Sequence, residues 1–333
     1  MTSDSVPDST YADAADSARE DASAGLRLLP VLESGTPASV DRAKRPRRHP
    51  SWVKTRFQAN ERYEFLRRVL REKGLHTVCE EAECPNIGEC WSHGTATFML
   101  MGDTCTRTCA FCAVGKGKPL ALDAQEPDHV AEVIAALDLD YAVLTSVNRD
   151  ELPDEGAGHF AATVEAIHRL LPRCRVEALV PDFHARPELV DQLARSPLFV
   201  FAHNVETVPR LYRRVRPGSD YRRSLRVLEL AKAARADLLT KSSVMLGLGE
   251  TRAELSAVFR DLRASGCDLL TLGQYLQPSA AQLDVFRYVP PSEFAELKEE
   301  AEALGFRQVV SGPLVRSSYH AWEVVDSCSP SKP

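Results

Sequence analysis

Six short apolar runs, separated by stretches with helical spacing, constrain the fold of this 333-residue chain more than any other feature. Most of these runs are nearly continuously apolar and do not alternate between apolar and polar residues. This pattern is typical of strands buried on both faces of a parallel sheet. The intervening stretches predict helices that cover this sheet, so the order indicates an α/β fold. The predicted strands are "TFMLMG" from 97, "YAVLTSV" from 141, "RVEALVP" from 175, "LFVFAHNV" from 198, "LLTKSSVML" from 238 and "DLLTLGQYL" from 268.

The clearest of the predicted helices covers residues 251 to 264. Thr251 and Glu254 have the spacing of a capping box at its start, and Gly266 closes it. Another helix is expected after Pro127, a residue favoured in a first turn. Further helices are predicted over 57–74 and about 291–304, and a strand-like "FRQVVSG" follows from 306.

Two architectures fit this order, an open doubly wound sheet and a full or partial βα barrel. A doubly wound sheet usually has a glycine-rich turn after its first strand, whereas cysteines occupy that turn here. Polar residues recur at the carboxyl ends of the predicted strands, where barrels bind their ligands. We therefore expect a partial (β/α)6 TIM-type barrel. The polar residues in question are Thr145, Ser146, His203, Asn204, Lys241 and Gln274.

Six of the nine cysteines lie between residues 79 and 112, in two groups of three. This crowding in a long chain without a secretion signal favours metal binding in a reducing compartment over disulfides. The remaining cysteines have no partner spacing and are expected to pack in the core. The groups are Cys79, Cys84 and Cys90, then Cys105, Cys109 and Cys112; the remaining three are Cys174, Cys267 and Cys328.

The second group has the spacing CxxxCxxC and directly follows the first predicted strand. Three thiolates can hold a [4Fe–4S] cluster and leave one iron without a protein ligand, which indicates chemistry at that iron. A structural zinc site needs four ligands, usually in paired CxxC motifs, and a ferredoxin needs four cysteines for each cluster. Both alternatives therefore fit the motif poorly.

Charge and hydropathy exclude several classes of partner. The net charge of −6 and the absence of an RNA-binding motif argue against nucleic acid, and no apolar run is long enough to span a membrane.

Residues 1–25 are too acidic for a signal or transit peptide, so a cytoplasmic location is expected. Residues 1–40 are predicted to be disordered. The basic stretch from Arg42 to Arg56 is interpreted as a linker or a docking strip for an acidic partner.

CxxxCxxC after the first strand of a βα barrel resembles the radical S-adenosylmethionine (SAM) superfamily, and Phe111 matches the aromatic residue usual before its last cysteine. Within that superfamily, the chain from about 50 to 321 resembles the lipoyl synthases. The stretches that carry this resemblance are "HTVCEEAECPNIGECW", "GTATFMLMGDTCTRTCAFCAV", "TSVNRDELPD", "HNVETVPRLYRRVRPGSDY", "GLGET", "TLGQYLQP" and "GPLVRSSYHA".

The resemblance implies two [4Fe–4S] clusters and S-adenosylmethionine as cofactors. One cluster, on Cys105, Cys109 and Cys112, would cleave S-adenosylmethionine to start hydrogen abstraction. The other would serve as the sulfur donor for carbons six and eight of a protein-bound octanoyl-lysine. Its implied ligands are Cys79, Cys84, Cys90 and Ser318, with Ser317 as the alternative serine. Phe111 is an expected cofactor contact. Ser146 and Lys241 join it because of their positions at the predicted rim, where the cation of Lys241 suits a carboxylate. Arg316 is interpreted either as a neighbour of the second cluster or as a surface or structural arginine.

The resemblance also implies partners. These are octanoylated lipoyl carrier domains of 2-oxoacid dehydrogenase acyltransferase subunits and of the glycine cleavage H protein, an electron donor such as ferredoxin or flavodoxin, and an iron–sulfur carrier protein. No nucleic acid and no membrane are expected. Another radical sulfur-inserting enzyme, similar to biotin synthase or a methylthiotransferase, and a non-catalytic iron–sulfur or zinc scaffold remain the alternatives.

The chain is divided accordingly into a disordered segment (1–40), an N-terminal extension with the auxiliary cysteines (41–95), the partial barrel (96–290) and a C-terminal extension (291–333). Because Ser318 lies far from Cys79 in sequence, the two extensions are expected to meet over the barrel mouth. His93, His203 and His320 are expected to pack or to form hydrogen bonds rather than to bind metal.

Overall fold

The computed structural model describes residues 49–54, 60–92 and 96–319. The segment predicted to be disordered, over 1–40, and most of the basic stretch after it lie outside the described residues. The same holds for His93, His320 and Cys328.

An eight-stranded sheet forms the centre of the described chain. Its strands pair in the order in which they occur in sequence, and all pairs are parallel except the first, which is antiparallel. A doubly wound sheet would reverse this order at a switch point, so the sequential order confirms the barrel-type alternative. The strands are β1 (His76–Thr77), β2 (Thr97–Leu100), β5 (Tyr141–Ser146), β6 (Arg175–Leu179), β7 (Val200–Ala202), β8 (Leu239–Leu246), β9 (Leu269–Gln274) and β10 (Gln308–Gly312), with β3 (Thr104–Cys105) and β4 (Gly115–Lys116) in a separate ladder.

The helices from residue 126 onwards lie between successive parallel strands and pack on the sheet, whereas the three helices before residue 93 flank β1. The capping box predicted for Thr251 and Glu254 is present, and the first long helix begins after Asn60, whose side chain accepts a hydrogen bond from the Tyr63 amide. None of the described helices has the length and apolar character needed to cross a membrane. The helices are α1 (Glu61–Glu72), α2 (Val78–Glu81), α3 (Ile87–Ser92), α4 (Glu126–Ala136), α5 (Ala157–Leu170), α6 (Pro187–Ala194), α7 (Tyr212–Val215), α8 (Tyr221–Ala234), α9 (Arg252–Ala264) and α10 (Pro291–Ala303).

All six predicted strands are present, and the strand-like segment after 306 adds β10 to the sheet beside β9. Both predicted extensions therefore contribute a strand, since β1 pairs with β2 at the other end. Cys174 and Cys267 are buried in the apolar core, which confirms that they pack there.

Lys241 lies in the core rather than at the carboxyl end of its strand. Strand β8 continues from Lys241 to Leu246 before it ends. The ammonium group is 2.8 and 2.9 Å from the two carboxylate oxygens of Glu177, which also accepts a hydrogen bond from the Tyr141 hydroxyl at 2.6 Å. This position does not support the prediction that Lys241 contacts the cofactor, because its charge is already neutralised by a buried carboxylate on β6.

Candidate functional site

Cys105, Cys109 and Cys112, hereafter the first triad, lie on the loop that follows β2. Met101 and Gly102, both with positive φ, turn the chain away from the sheet, and the ladder of β3 and β4 then fixes the loop. The Gly117 amide donates to the Cys105 carbonyl at 3.0 Å, and the Ala110 amide donates to the Val215 carbonyl at 2.9 Å. Backbone hydrogen bonds therefore hold this loop over the carboxyl ends of the strands.

Arg107, inside the triad loop, ties the loop to the barrel. Its guanidinium is 2.7 Å from a carboxylate oxygen of Asp150 and 2.8 Å from one of Asp182. Burial alone would raise the pKa of Asp182, but hydrogen bonds and charge from Arg107 hold that pKa well below its usual range. Removal of Arg107 would leave a buried carboxylate with less compensation, so this pair is a structural anchor of the loop.

A cavity of about 200 Å³ lies beside the first triad and is lined by its three cysteines and Phe111. Several residues that line it carry a buried polar atom with no hydrogen-bond partner among the described residues. Such atoms cost about 1–3 kcal/mol each when left unpaired, so the cavity fits a ligand with several polar groups. They are Ser146 Oγ, Asn148 Oδ1, His203 Nε2, Asn204 Oδ1 and Arg216 Nε.

Ser146, predicted to contact the cofactor, is the last residue of β5, and its hydroxyl is one of these unpaired groups. Next to it, the Asn148 amide donates to Cys105 Sγ at 3.3 Å, as does the Arg107 amide at 3.4 Å. These polar residues and the three cysteines therefore line one space. This arrangement can hold a metal cluster and a polar cofactor side by side.

Sequence reasoning missed Glu206 and Arg216, which line the same cavity. Glu206 follows β7 in a left-handed conformation (φ 65°). Burial raises the pKa of Glu206, whereas the charge of Arg216 and a hydrogen bond from Asn204 act in the opposite sense. Both residues lie in the stretch "HNVETVPRLYRRVRPGSDY", which was quoted for the resemblance, but no spacing rule distinguished them there.

Cys79, Cys84 and Cys90, hereafter the second triad, lie on or between α2 and α3, in the segment that joins β1 to β2. Thr77 caps α2, which carries Cys79, and the Cys84 amide donates to the Cys79 carbonyl at 3.0 Å. Cys90 lies on α3. A small cavity of about 20 Å³ lies among the three cysteines, and Arg316 and Ser318 also line it.

Three long-range hydrogen bonds join the C-terminal segment to residues next to this triad in sequence. Asn86 Nδ2 donates to the Leu314 carbonyl at 2.8 Å, Thr97 Oγ1 donates to Ser318 Oγ at 2.8 Å, and the Tyr319 hydroxyl donates to Glu89 at 3.2 Å. The contact between the two extensions that the sequence predicted is therefore confirmed.

Both triads open onto one larger cavity of about 480 Å³ at the carboxyl ends of the strands. Cys79 and Cys84 line it from one side, and Phe111 and Cys112 line it from another. Ser318 also lines it, so the second triad has room for a cluster that extends from the small cavity into the large one. A substrate in this cavity would lie between the two triads.

Burial determines the protonation of the thiols. Burial and, to a smaller extent, the charge of neighbouring thiolates raise the pKa of Cys79 and of Cys112 to about 11 and that of Cys90 to about 12. Hydrogen bonds from the backbone and side chain of Thr97 act in the opposite sense on Cys79. Metal binding must therefore displace protons from both triads.

The spacing of the sulfur atoms does not fit a single zinc ion. Among the described residues, only Asp150, Glu155 and His184 bring three potential ligand atoms within 4.8 Å of one another, so neither cysteine triad does. Tetrahedral zinc, with Zn–S distances of about 2.3 Å, requires closer sulfur atoms. Asp150 is already bound by Arg107, and His184 pairs with Glu155 at 2.9 Å, so this group forms an ion-pair network.

Comparison with known proteins gives consistent matches. The Radical SAM superfamily profile matches residues 99–262, and the profile described as the N-terminal domain of lipoyl synthase of the Radical SAM family matches residues 33–84. A protein named lipoyl synthase from Thioalkalivibrio sulfidiphilus is 54% identical over 286 residues, which cover 86% of this chain and 89% of the relative. One from Methylococcus capsulatus is 55% identical over 277 residues (83% and 86%), and one from Acidothermus cellulolyticus is 54% identical over 297 residues (89% and 90%).

Proposed function

This chain belongs to the lipoyl synthase family of the radical SAM superfamily, and from that premise we propose which of its residues carry the reaction. The enzyme inserts two sulfur atoms into an octanoyl group bound to lipoyl carrier proteins, and it uses S-adenosylmethionine and two [4Fe–4S] clusters. The residues that bind each cluster and the cofactor are the subject of the proposal.

The first cluster is assigned to Cys105, Cys109 and Cys112, with S-adenosylmethionine in the 200 Å³ cavity beside them. The unpaired polar atoms of that cavity support this assignment, because the cofactor has an amino group, a carboxylate and ribose hydroxyls to pair with them. Ser146 and Phe111 are the proposed cofactor contacts. Asn204 and Arg216 join them, since both line the same cavity and each carries a buried polar atom without a hydrogen-bond partner among the described residues.

The second cluster is assigned to Cys79, Cys84 and Cys90, with Ser318 as the fourth ligand. Ser318 lines both the small cavity among these cysteines and the large shared cavity, whereas Ser317 lines the large cavity alone. This difference favours Ser318 over Ser317. Arg316 lies beside Cys84, where a buried guanidinium compensates the negative charge of thiolate ligands.

When bound, the two clusters and S-adenosylmethionine supply homolytic cleavage of unactivated C–H bonds and the two sulfur atoms. The methylene hydrogens of an octanoyl chain have no useful acidity, so general acid or base catalysis cannot remove them. The side chains of this protein therefore bind, orient and exclude water. Val78, Leu179, Val244 and Met245 give the large cavity the apolar surface that an octanoyl chain requires.

The proposal extends to the individual partner proteins and to the location of the enzyme in the cell. We expect the carrier domains of 2-oxoacid dehydrogenases and of the glycine cleavage H protein as substrates, ferredoxin or flavodoxin as the electron donor, and an iron–sulfur carrier protein that rebuilds the second cluster. A cytoplasmic location is supported by the thiols, since eight of the cysteines are described and none of these eight forms a disulfide.

The opening of both triads onto one cavity is the observation that carries this proposal. Its test compares Cys79→Ala with Cys105→Ala in anaerobic protein given an octanoyl-lysine peptide, S-adenosylmethionine and dithionite. Cys79→Ala should release 5′-deoxyadenosine without adding sulfur to the peptide, and Cys105→Ala should do neither.

Cys174→Ala is the matched control, because Cys174 is a buried thiol that packs in the core away from both triads. It should behave like the unmodified protein in both assays. If Cys79→Ala still produced a peptide with two added sulfur atoms at the rate of the control, the assignment of the second cluster would be wrong.

A further inference from the structure

Thr97 is the first residue of β2 and lines the second site, to which both the N-terminal and the C-terminal extensions contribute residues. Its buried hydroxyl donates a hydrogen bond at 2.8 Å to Ser318 Oγ, a residue 221 positions away in sequence. Thr97 also lines the small cavity of the second triad together with Cys79 and Ser318. A single residue of the sheet therefore lines the space shared by a cysteine and the serine of the proposed ligand set.

Among the described residues, the one hydrogen bond of the Ser318 side chain is the bond from Thr97. Ser318 follows β10 in a segment without helix or strand, and its neighbour Tyr319 is joined to the N-terminal extension through Glu89. Thr97 is instead part of the central sheet, where β2 pairs with β5. The hydrogen bond from the Thr97 hydroxyl thus connects Ser318, which lies outside the sheet, to a strand of the central sheet.

The chemistry of a serine ligand fits a donor at this place. A serine oxygen that binds iron has lost its proton, so it can accept a hydrogen bond but cannot donate one. Hydrogen bonds to charged acceptors are stronger than neutral ones, and groups that hold metal ligands by such bonds fix their orientation. The Thr97 hydroxyl is positioned as the donor in this bond.

Resting on the proposed function, we propose that Thr97 is a positioning residue whose hydroxyl holds Ser318 as the fourth ligand of the second cluster. Without this bond, Ser318 would spend more time away from the iron, and the exposed iron would be lost more readily. Thr97 would thereby limit how easily the cluster comes apart before the substrate arrives.

The test uses full-length protein in which Cys105, Cys109 and Cys112 are all replaced by alanine, so that bound iron reports on the second site alone. This parent should hold about four iron atoms per chain. Three variants are made in it. Thr97→Val removes the hydroxyl and keeps the shape, Thr97→Ser keeps the hydroxyl, and Thr163→Val removes a buried hydroxyl that bonds only within α5, to the His159 carbonyl.

The measurement is the anaerobic rate at which a ferrous chelator removes iron from each protein. Thr97→Val should lose iron about tenfold faster than the parent, as expected for one hydrogen bond to a charged group. Thr97→Ser and Thr163→Val should lose iron at close to the parent rate.

Equal rates for Thr97→Val and the parent would overturn the inference and leave the proposed function standing. A Thr97→Ser rate as high as that of Thr97→Val would also overturn it, because the methyl group and not the hydroxyl would then matter. A parent that binds no iron would overturn the ligand assignment of the second cluster together with this inference.

Discussion

The buried pair of Lys241 and Glu177 provides a sharp test of the architecture. Both side chains are only 2% exposed, and the ammonium contacts both carboxylate oxygens. Lys241→Met preserves most of the volume but leaves the Glu177 carboxylate buried without a counter-charge. Loss of one partner of such a pair costs about 3–5 kcal/mol, which corresponds to a fall of roughly 4–7 °C in the unfolding temperature of a chain of this size.

The assay is thermal unfolding of the metal-free protein, followed by circular dichroism. Lys73→Met is the control, since Lys73 pairs with Glu132 at 2.7 Å on the surface and its loss should leave the unfolding temperature nearly unchanged. The double variant Lys241→Met/Glu177→Gln should recover most of the loss, because the unpaired charge is gone while Tyr141 keeps an acceptor. A Lys241→Met protein as stable as Lys73→Met would refute this reasoning.

Three further outcomes are expected. Ser318→Ala should still release 5′-deoxyadenosine but should transfer little sulfur to an octanoyl-lysine peptide, as measured by mass spectrometry; normal transfer would exclude the serine as an essential ligand. Burial and the charge of Arg216 lower the pKa of His203 to about 4, whereas the unfolded chain binds this proton near pH 6.5. The fold should therefore lose stability as the pH falls from 6.5 towards 4, and His203→Asn should flatten that slope in pH-dependent unfolding. Thr251→Ala should cost about 1 kcal/mol in denaturant unfolding through loss of the capping box; an unchanged midpoint would contradict the capping role.

Local patterns in the sequence predicted most of the fold. The apolar runs identified the six strands, because burial on both faces of a parallel sheet leaves a continuous apolar signal. The capping box at Thr251 was also predictable from the sequence, because its hydrogen bonds join residues only three positions apart. Such features depend on neighbours in the chain.

Features that depend on distant residues were predicted less well. The buried ion pair of Lys241 was not predicted, because its partner Glu177 lies on another strand and sequence spacing does not show which positions pair across a sheet. Glu206 was missed because a left-handed backbone conformation places it at the cavity. The Thr97 contact with Ser318 spans 221 positions, so neither residue signals the other locally.

The most direct test of the central claim follows the sulfur itself. Protein whose second site has been rebuilt with heavy-isotope sulfide is exchanged into natural-isotope buffer and allowed one turnover on an octanoyl-lysine peptide, and the product is weighed. If the cluster on Cys79, Cys84, Cys90 and Ser318 is the donor, the peptide should gain two heavy sulfur atoms. A product with two natural-isotope sulfur atoms would contradict the account.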